Sequence, residues 1–271
     1  MSEKELEKIE KSFEETTRVI LGAPLKGMRN YESWLSKHVK GIDSVQSAVS
    51  KETVYIPPIP LYSRIKGKFV KLAESFGLDK LKLEEKEVEE LTLLNAVEKL
   101  KKISYTTPEL VEGTNAAMNE STVYADASYA FRTSEAVGSK YTAYCFWPRN
   151  SEYVYGSSTL FSSKFCIKCY DSTNLARCFE VGNSANCRDS YFCHNCEGLT
   201  ECMFCFNVKS KRYAIGNVEI GKESYEKIKK LVLEEIAGKL EKDKTLDVDI
   251  FNVGVYGSEN KKEKNVKRQV Y

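Results

Sequence analysis

Cys169-Tyr-Asp-Ser172, Cys178-Phe-Glu-Val181, Cys187-Arg-Asp-Ser190, Cys196-Glu-Gly-Leu199 and Cys205-Phe-Asn-Val208 open five successive stretches of nine residues. Earlier copies start at Tyr124, Thr133, Thr142, Ser151 and Leu160, with cysteine replaced. Beneath the nine lies a finer period. All nine cysteines, Cys145, Cys166, Cys169, Cys178, Cys187, Cys193, Cys196, Cys202 and Cys205, are separated by multiples of three. In the same register from Ser121 to Ala214, 29 of 32 positions are Ser, Ala, Thr, Cys, Val or Leu, the exceptions being Tyr124, Pro148 and Lys211. Neither an amphipathic helix nor a flat strand has that period. A crowded, regularly spaced interior does, and copies in tandem predict a solenoid.

Shifting the chain by 27 residues lays Ser163-Lys-Phe-Cys-Ile-Lys-Cys169 on Ser190-Tyr-Phe-Cys-His-Asn-Cys196, and Cys178-Phe-Glu-Val181 on Cys205-Phe-Asn-Val208. The expected coil therefore has 27 residues in three nine-residue sides, giving about three and a half right-handed coils of a parallel β-helix. Equivalent residues would stack about 4.8 Å apart. The predicted neighbours are Cys166 with Cys193, Cys169 with Cys196, Cys178 with Cys205, Phe165 with Phe192 and Phe179 with Phe206. The segment resembles uncharacterised Ser/Cys-rich parallel β-solenoid proteins of archaea and small-genome bacteria. That resemblance covers about a third of the chain and implies no established activity.

Outward from the repeat, the texture becomes helical and the fold class α+β. The region 1–119 reads as helices: Glu3–Leu21, Tyr31–Val39, Tyr62–Phe76 and Lys82–Ile103, the last with an apolar face of Val88, Leu91, Leu93, Leu94, Val97 and Leu100. Residues 54–60 carry three prolines and read as a stiff extended connector. The solenoid is placed at 120–217. Beyond it, 218–256 supplies a helix, Glu223–Leu240, and a strand, Leu246–Val255, expected to cap the last coil. Residues 257–271 form a basic tail, expected to be flexible.

The 41 basic and 39 acidic residues nearly cancel, so no global field selects nucleic acid or an anionic membrane as partner. Met1-Ser2-Glu3-Lys4-Glu5 contains no apolar signal core, and no stretch approaches the roughly 20 apolar residues of a membrane span. A cytoplasmic protein is expected, in which cysteines are thiols or metal ligands.

A 27-residue coil would stack the C-x-x-C pairs Cys166/Cys169 and Cys193/Cys196 into a square of four sulfurs, suited to zinc or an iron–sulfur cluster. The competing reading is nine small core thiols and no cofactor; redox use is a third. His194, between Cys193 and Cys196, is either a ligand or base or an exposed surface histidine. The aromatics Tyr153, Tyr155, Phe161, Tyr170, Phe179 and Phe206 are candidates for an interface, unless the N-terminal helices cover them. No Walker loop, G-x-G-x-x-G, H-E-x-x-H, G-x-S-x-G or paired-carboxylate signature is present. The reading is a non-enzymatic structural or protein-interaction solenoid, with protein partners or self-association, and with a place in a larger, even provirus-encoded, assembly as one option. The rivals are a metal-binding or redox protein and, by fold analogy alone, a carbohydrate-active enzyme.

Overall fold

The computed structural model describes residues 3–255; the basic tail lies outside them. Its centre is a parallel β-solenoid, flanked by an N-terminal helical region and a C-terminal helix. Lys140 pairs with Ser128 on one side and Glu152 on the other, and Cys166 with Val154 and Cys178. Each of these steps is twelve residues. The coil is therefore twelve residues long rather than 27. The ladder from Ala116–Asn119 to Arg212–Ile215 passes through nine strands, so about nine turns replace the expected three and a half.

The backbone explains the number. Every third residue from Ala117 to Gly216 has a positive φ, near +50°. Each triplet thus holds one inward residue, one further extended residue and one left-handed residue that turns the chain. Four triplets close the ring. Left-handed backbone disfavours most L-residues, and one column of turns is dominated by the types that tolerate it, Asp126, Gly138, Asn150, Asn174, Asn186 and Gly198, completed at the same twelve-residue spacing by Ser162 and Ser210. The Asn174 side-chain amide donates to Asn186 at 3.0 Å, and that of Asn195 to Asn207 at 2.8 Å, tying successive turns.

Inside, small side chains link the coils. Ser163 Oγ accepts the Leu175 N–H at 3.0 Å and donates to the Phe161 carbonyl at 2.8 Å; Ser157 and Ser184 accept the N–H of Cys169 and Cys196 in the same way. A buried N–H at each such corner is thereby paired. Cysteine donates instead. The S–H of Cys169 points at the Cys178 carbonyl (3.6 Å), Cys178 at Cys187 (3.5 Å) and Cys196 at Cys205 (3.4 Å). The nine-residue repeat is thus real but diagonal: nine residues forward is one coil on and one corner back.

In the N-terminal region α1 (Glu3–Leu21) forms as its pattern predicts. The segment expected as Tyr31–Val39 shortens to a 3-10 turn and α2 (Glu32–Ser36). The proline connector begins in a hairpin of β1 (Asp43–Gln46) and β2 (Thr53–Ile56) and ends where Pro60 starts α3 (Pro60–Arg64). The expected Tyr62–Phe76 helix leaves only α3 and α4 (Leu72–Ser75). The expected Lys82–Ile103 helix is split into α5 (Glu85–Glu89) and α6 (Leu93–Leu100), because extended Thr92 caps α6: its Oγ1 accepts the Asn95 N–H at 3.3 Å, while Asn95 Oδ1 accepts the Thr92 N–H at 2.8 Å. After the last coil, Val218–Glu219 turns back antiparallel on Ala214–Ile215 and α7 (Lys222–Asp243) follows. Leu246–Val255, expected as a strand, is turns and bends closed by the Asp249 carbonyl accepting from Val253.

Candidate functional site

The coil has two hydrophobic environments. The inner one is the column of Cys, Ser, Val and Leu. The outer one lies where the helices meet the solenoid. Phe131, Ala143, Tyr155, Ile167, Phe179, Tyr191 and Met203, each twelve residues apart, form a buried outward stripe under Ile9, Phe13 and Ile20 of α1 and Tyr31, Trp34 and Leu35. The Tyr155 hydroxyl lies 2.5 Å from that of Ser12, and the Tyr191 hydroxyl donates to the Ile20 carbonyl at 3.2 Å.

This places the aromatic candidates individually. Tyr155 and Phe179 are fully buried beneath the N-terminal helices. Tyr170 is covered by Phe251, with ring centroids 4.9 Å apart. Tyr153 is half-exposed in a stacked row, 5.0 Å from Tyr141 and 4.7 Å from Phe165. Phe161 is half-exposed with its edge against Trp147 at 5.6 Å, and Phe206 is half-buried near the last coil.

Beside the covered stripe sits a buried ionic group that sequence reasoning missed. Lys168 and Glu180, twelve apart on one column, are both fully buried. The Lys168 ammonium donates to the Trp34 carbonyl at 2.8 Å and lies 5.6 Å from the Trp34 ring centroid. Glu180 accepts the Ile250 N–H at 3.0 Å, and its other oxygen has no hydrogen-bond partner among the described residues. Burial pushes the Glu180 carboxyl up to about 8, against the pull of Lys168, and burial lowers Lys168. Asp249, also buried, accepts from Lys37 and His38, both at 2.8 Å; burial raises its carboxyl, but the hydrogen bonds from these two side chains more than offset that and hold it below its ordinary value. The group fastens α2 and the 246–253 turns to the solenoid. The signal was the twelve-residue spacing of Lys168 and Glu180, invisible without the coil length.

The nine thiols are all free and buried. Desolvation pushes Cys145 up to about 12 and Cys187 to about 11. Cys193, Cys202 and Cys205 likewise point their S–H groups at backbone carbonyls of the next coil, Cys202 (3.8 Å), Lys211 (3.4 Å) and Ala214 (3.8 Å) respectively. A twelve-residue coil does not stack Cys166 and Cys169 on Cys193 and Cys196. Cys166 lies between Val154 and Cys178, and Cys193 pairs with Val181. Among the described residues no three His, Cys, Asp or Glu side chains are grouped to hold a metal ion. His194 is half-buried, paired across the coils with Gly182 and Phe206.

Among the described residues, nothing packs over the opposite side of the coil. There Thr159, Asp171, Asn183 and Asn195 form one twelve-spaced row, and Phe161, Thr173, Ala185, Glu197 and Lys209 another. Between them lies an open depression of about 430 Å³. Glu197 and Lys209 pair at 2.7 Å across adjacent coils. Parallel stacking gives this face a rigid, regular array of amide, hydroxyl and aromatic groups. Among the described residues no helix is long and apolar enough to cross a membrane. No protein-family model matches the chain, and no curated protein matches it.

Proposed function

We propose that the chain is a cytoplasmic structural and protein-interaction solenoid that presents its bare face to a protein partner within a larger assembly. The observation behind this reading is the asymmetry of the coil. The helices bury one apolar stripe completely, whereas the rows through Asn183 and Thr173 stay uncovered on a scaffold whose strands hold them in register. Aromatic side chains at a surface, here Phe161 beside Trp147, are among the groups that protein interfaces favour. A cytoplasmic setting also keeps nine thiols reduced.

A photo-crosslinking residue at Asn183 tests it, with one at exposed Lys230 on α7 as control. In the cell that makes the chain, Asn183 should yield one defined protein adduct and Lys230 none. No adduct at Asn183, or the same adduct from both positions, would overturn the proposal.

A further inference from the structure

The turn column of Lys168 and Glu180 runs back at twelve-residue steps through Gly156 and Tyr144 to Arg132 and Glu120. There it meets α2 and the β1–β2 hairpin, and the three enclose a cavity of about 340 Å³, a volume suited to a small molecule. Arg132 lies in its wall between two carboxylates: Nε donates to Glu120 at 2.5 Å, and Nη1 donates to Glu32. One guanidinium offsets only one of them. Glu32 and Glu120 pair with no other cation among the described residues. Lys40, the other cation of the lining, holds its ammonium over the Phe146 ring, 5.2 Å from the centroid. The wall therefore keeps one negative charge unmatched among the described residues.

Tyr144 adds a second feature, independent of that charge count. It lines the same cavity, is only 3% exposed, and its hydroxyl has no hydrogen-bond partner among the described residues. Burial, and then the Glu32 carboxylate, push that hydroxyl up, so it stays neutral and able to accept a hydrogen bond. A buried hydroxyl without a partner is costly. An alkylammonium ion answers both features: it brings one positive charge and three N–H donors. The Tyr55 ring and Ile42, also in the lining, offer apolar surface to its chain. An anion would meet the surplus negative charge instead.

We propose that this cavity binds the alkylammonium group of a primary amine, held by Glu32, Glu120 and the Tyr144 hydroxyl, at a site separate from the uncovered solenoid face. Titration calorimetry of the full chain with n-butylamine at about pH 7.5 and constant ionic strength should give one site with a Kd of about 1 mM or tighter. The neutral n-butanol and the anionic butanoate should bind at least about tenfold more weakly. Glu120→Gln removes the surplus charge but keeps an acceptor for Arg132, and should weaken n-butylamine by about tenfold; Tyr144→Phe should weaken it by about threefold. Glu32→Gln should match Glu120→Gln, so a fold defect in one, detected by circular dichroism, leaves the other to decide. Nα-acetyl-lysine N-methylamide reads out the source: binding as tight as n-butylamine marks a protein lysine side chain, and weaker binding a free amine. No binding at about 20 mM n-butylamine, equal binding of n-butanol, displacement by equimolar potassium, or folded glutamine variants that bind like wild type would each overturn the proposal.

Discussion

The hydroxyls of Ser12 and Tyr155 meet at 2.5 Å across 143 residues of sequence, and Phe13 sets its ring edge-on to Tyr155 at 5.1 Å. Helix α1 and the solenoid therefore share one buried seam. Tyr155→Ala should destabilise the protein by about 3–5 kcal/mol, and Tyr155→Phe by about 1 kcal/mol. Helical and sheet signals should melt in one transition in wild type. Two separate transitions would show that the seam does not couple the regions.

Gly156 turns with φ +61°, and a Cβ there would lie 2.7 Å from the Leu35 carbonyl oxygen. The left-handed turn alone does not demand glycine, since other residues occupy the equivalent position throughout the coil. The close approach of Leu35 does. Gly156→Ala should cost about 2 kcal/mol or more, against about 1 kcal/mol for Gly216→Ala, where φ is also positive but the added methyl meets open space. Denaturant midpoints of the two variants decide it; equal losses would remove Leu35 from the explanation.

The buried Glu180 carboxyl makes stability depend on pH. Its folded value, about 8, lies above its ordinary 4.5, so its contribution is fully present below about pH 4.5 and is lost as the pH rises toward 8. Glu180→Gln does not titrate and keeps an acceptor for the Ile250 N–H. Its stability relative to wild type should therefore increase between about pH 5 and pH 8.5, by a few kcal/mol at most. Urea midpoints at both pH values measure this, and a pH-independent difference would assign the titration elsewhere. Asp249 acts in the opposite sense: its lowered value preserves stability until acid protonates it below its ordinary 3.8.

Thiol chemistry offers a further test. With Cys145 and Cys187 raised by desolvation and all nine sulfurs buried, a thiol reagent at about pH 8 should modify the native protein far more slowly than the unfolded chain. Unfolding without reductant or chelator should release nine equivalents, the full cysteine count. Fast native labelling of even one equivalent would contradict the buried columns, and a shortfall after unfolding would reveal sulfurs engaged by a metal or a disulfide.

By itself the sequence determined that a solenoid exists, because the comb from Ser121 to Ala214 repeats within each triplet: one small inward side chain and one turning residue. It also determined α1 and α7, whose apolar spacing is local. Coil length is not local. It is a closure condition on the accumulated turning of several triplets, and a comb of three is compatible with nine, twelve, eighteen or twenty-seven. The cysteines emphasised nine because S–H groups reach diagonally to the next coil, as Cys169 reaches Cys178. The true period was present in quieter residues, the Asp126-to-Ser210 turn column and the Phe131-to-Met203 stripe. Only the tertiary structure decided which of these meet α1, which sulfurs are neighbours, and that Lys168 and Glu180 share a buried site. Those are contacts between coils and helices, and no single triplet encodes them.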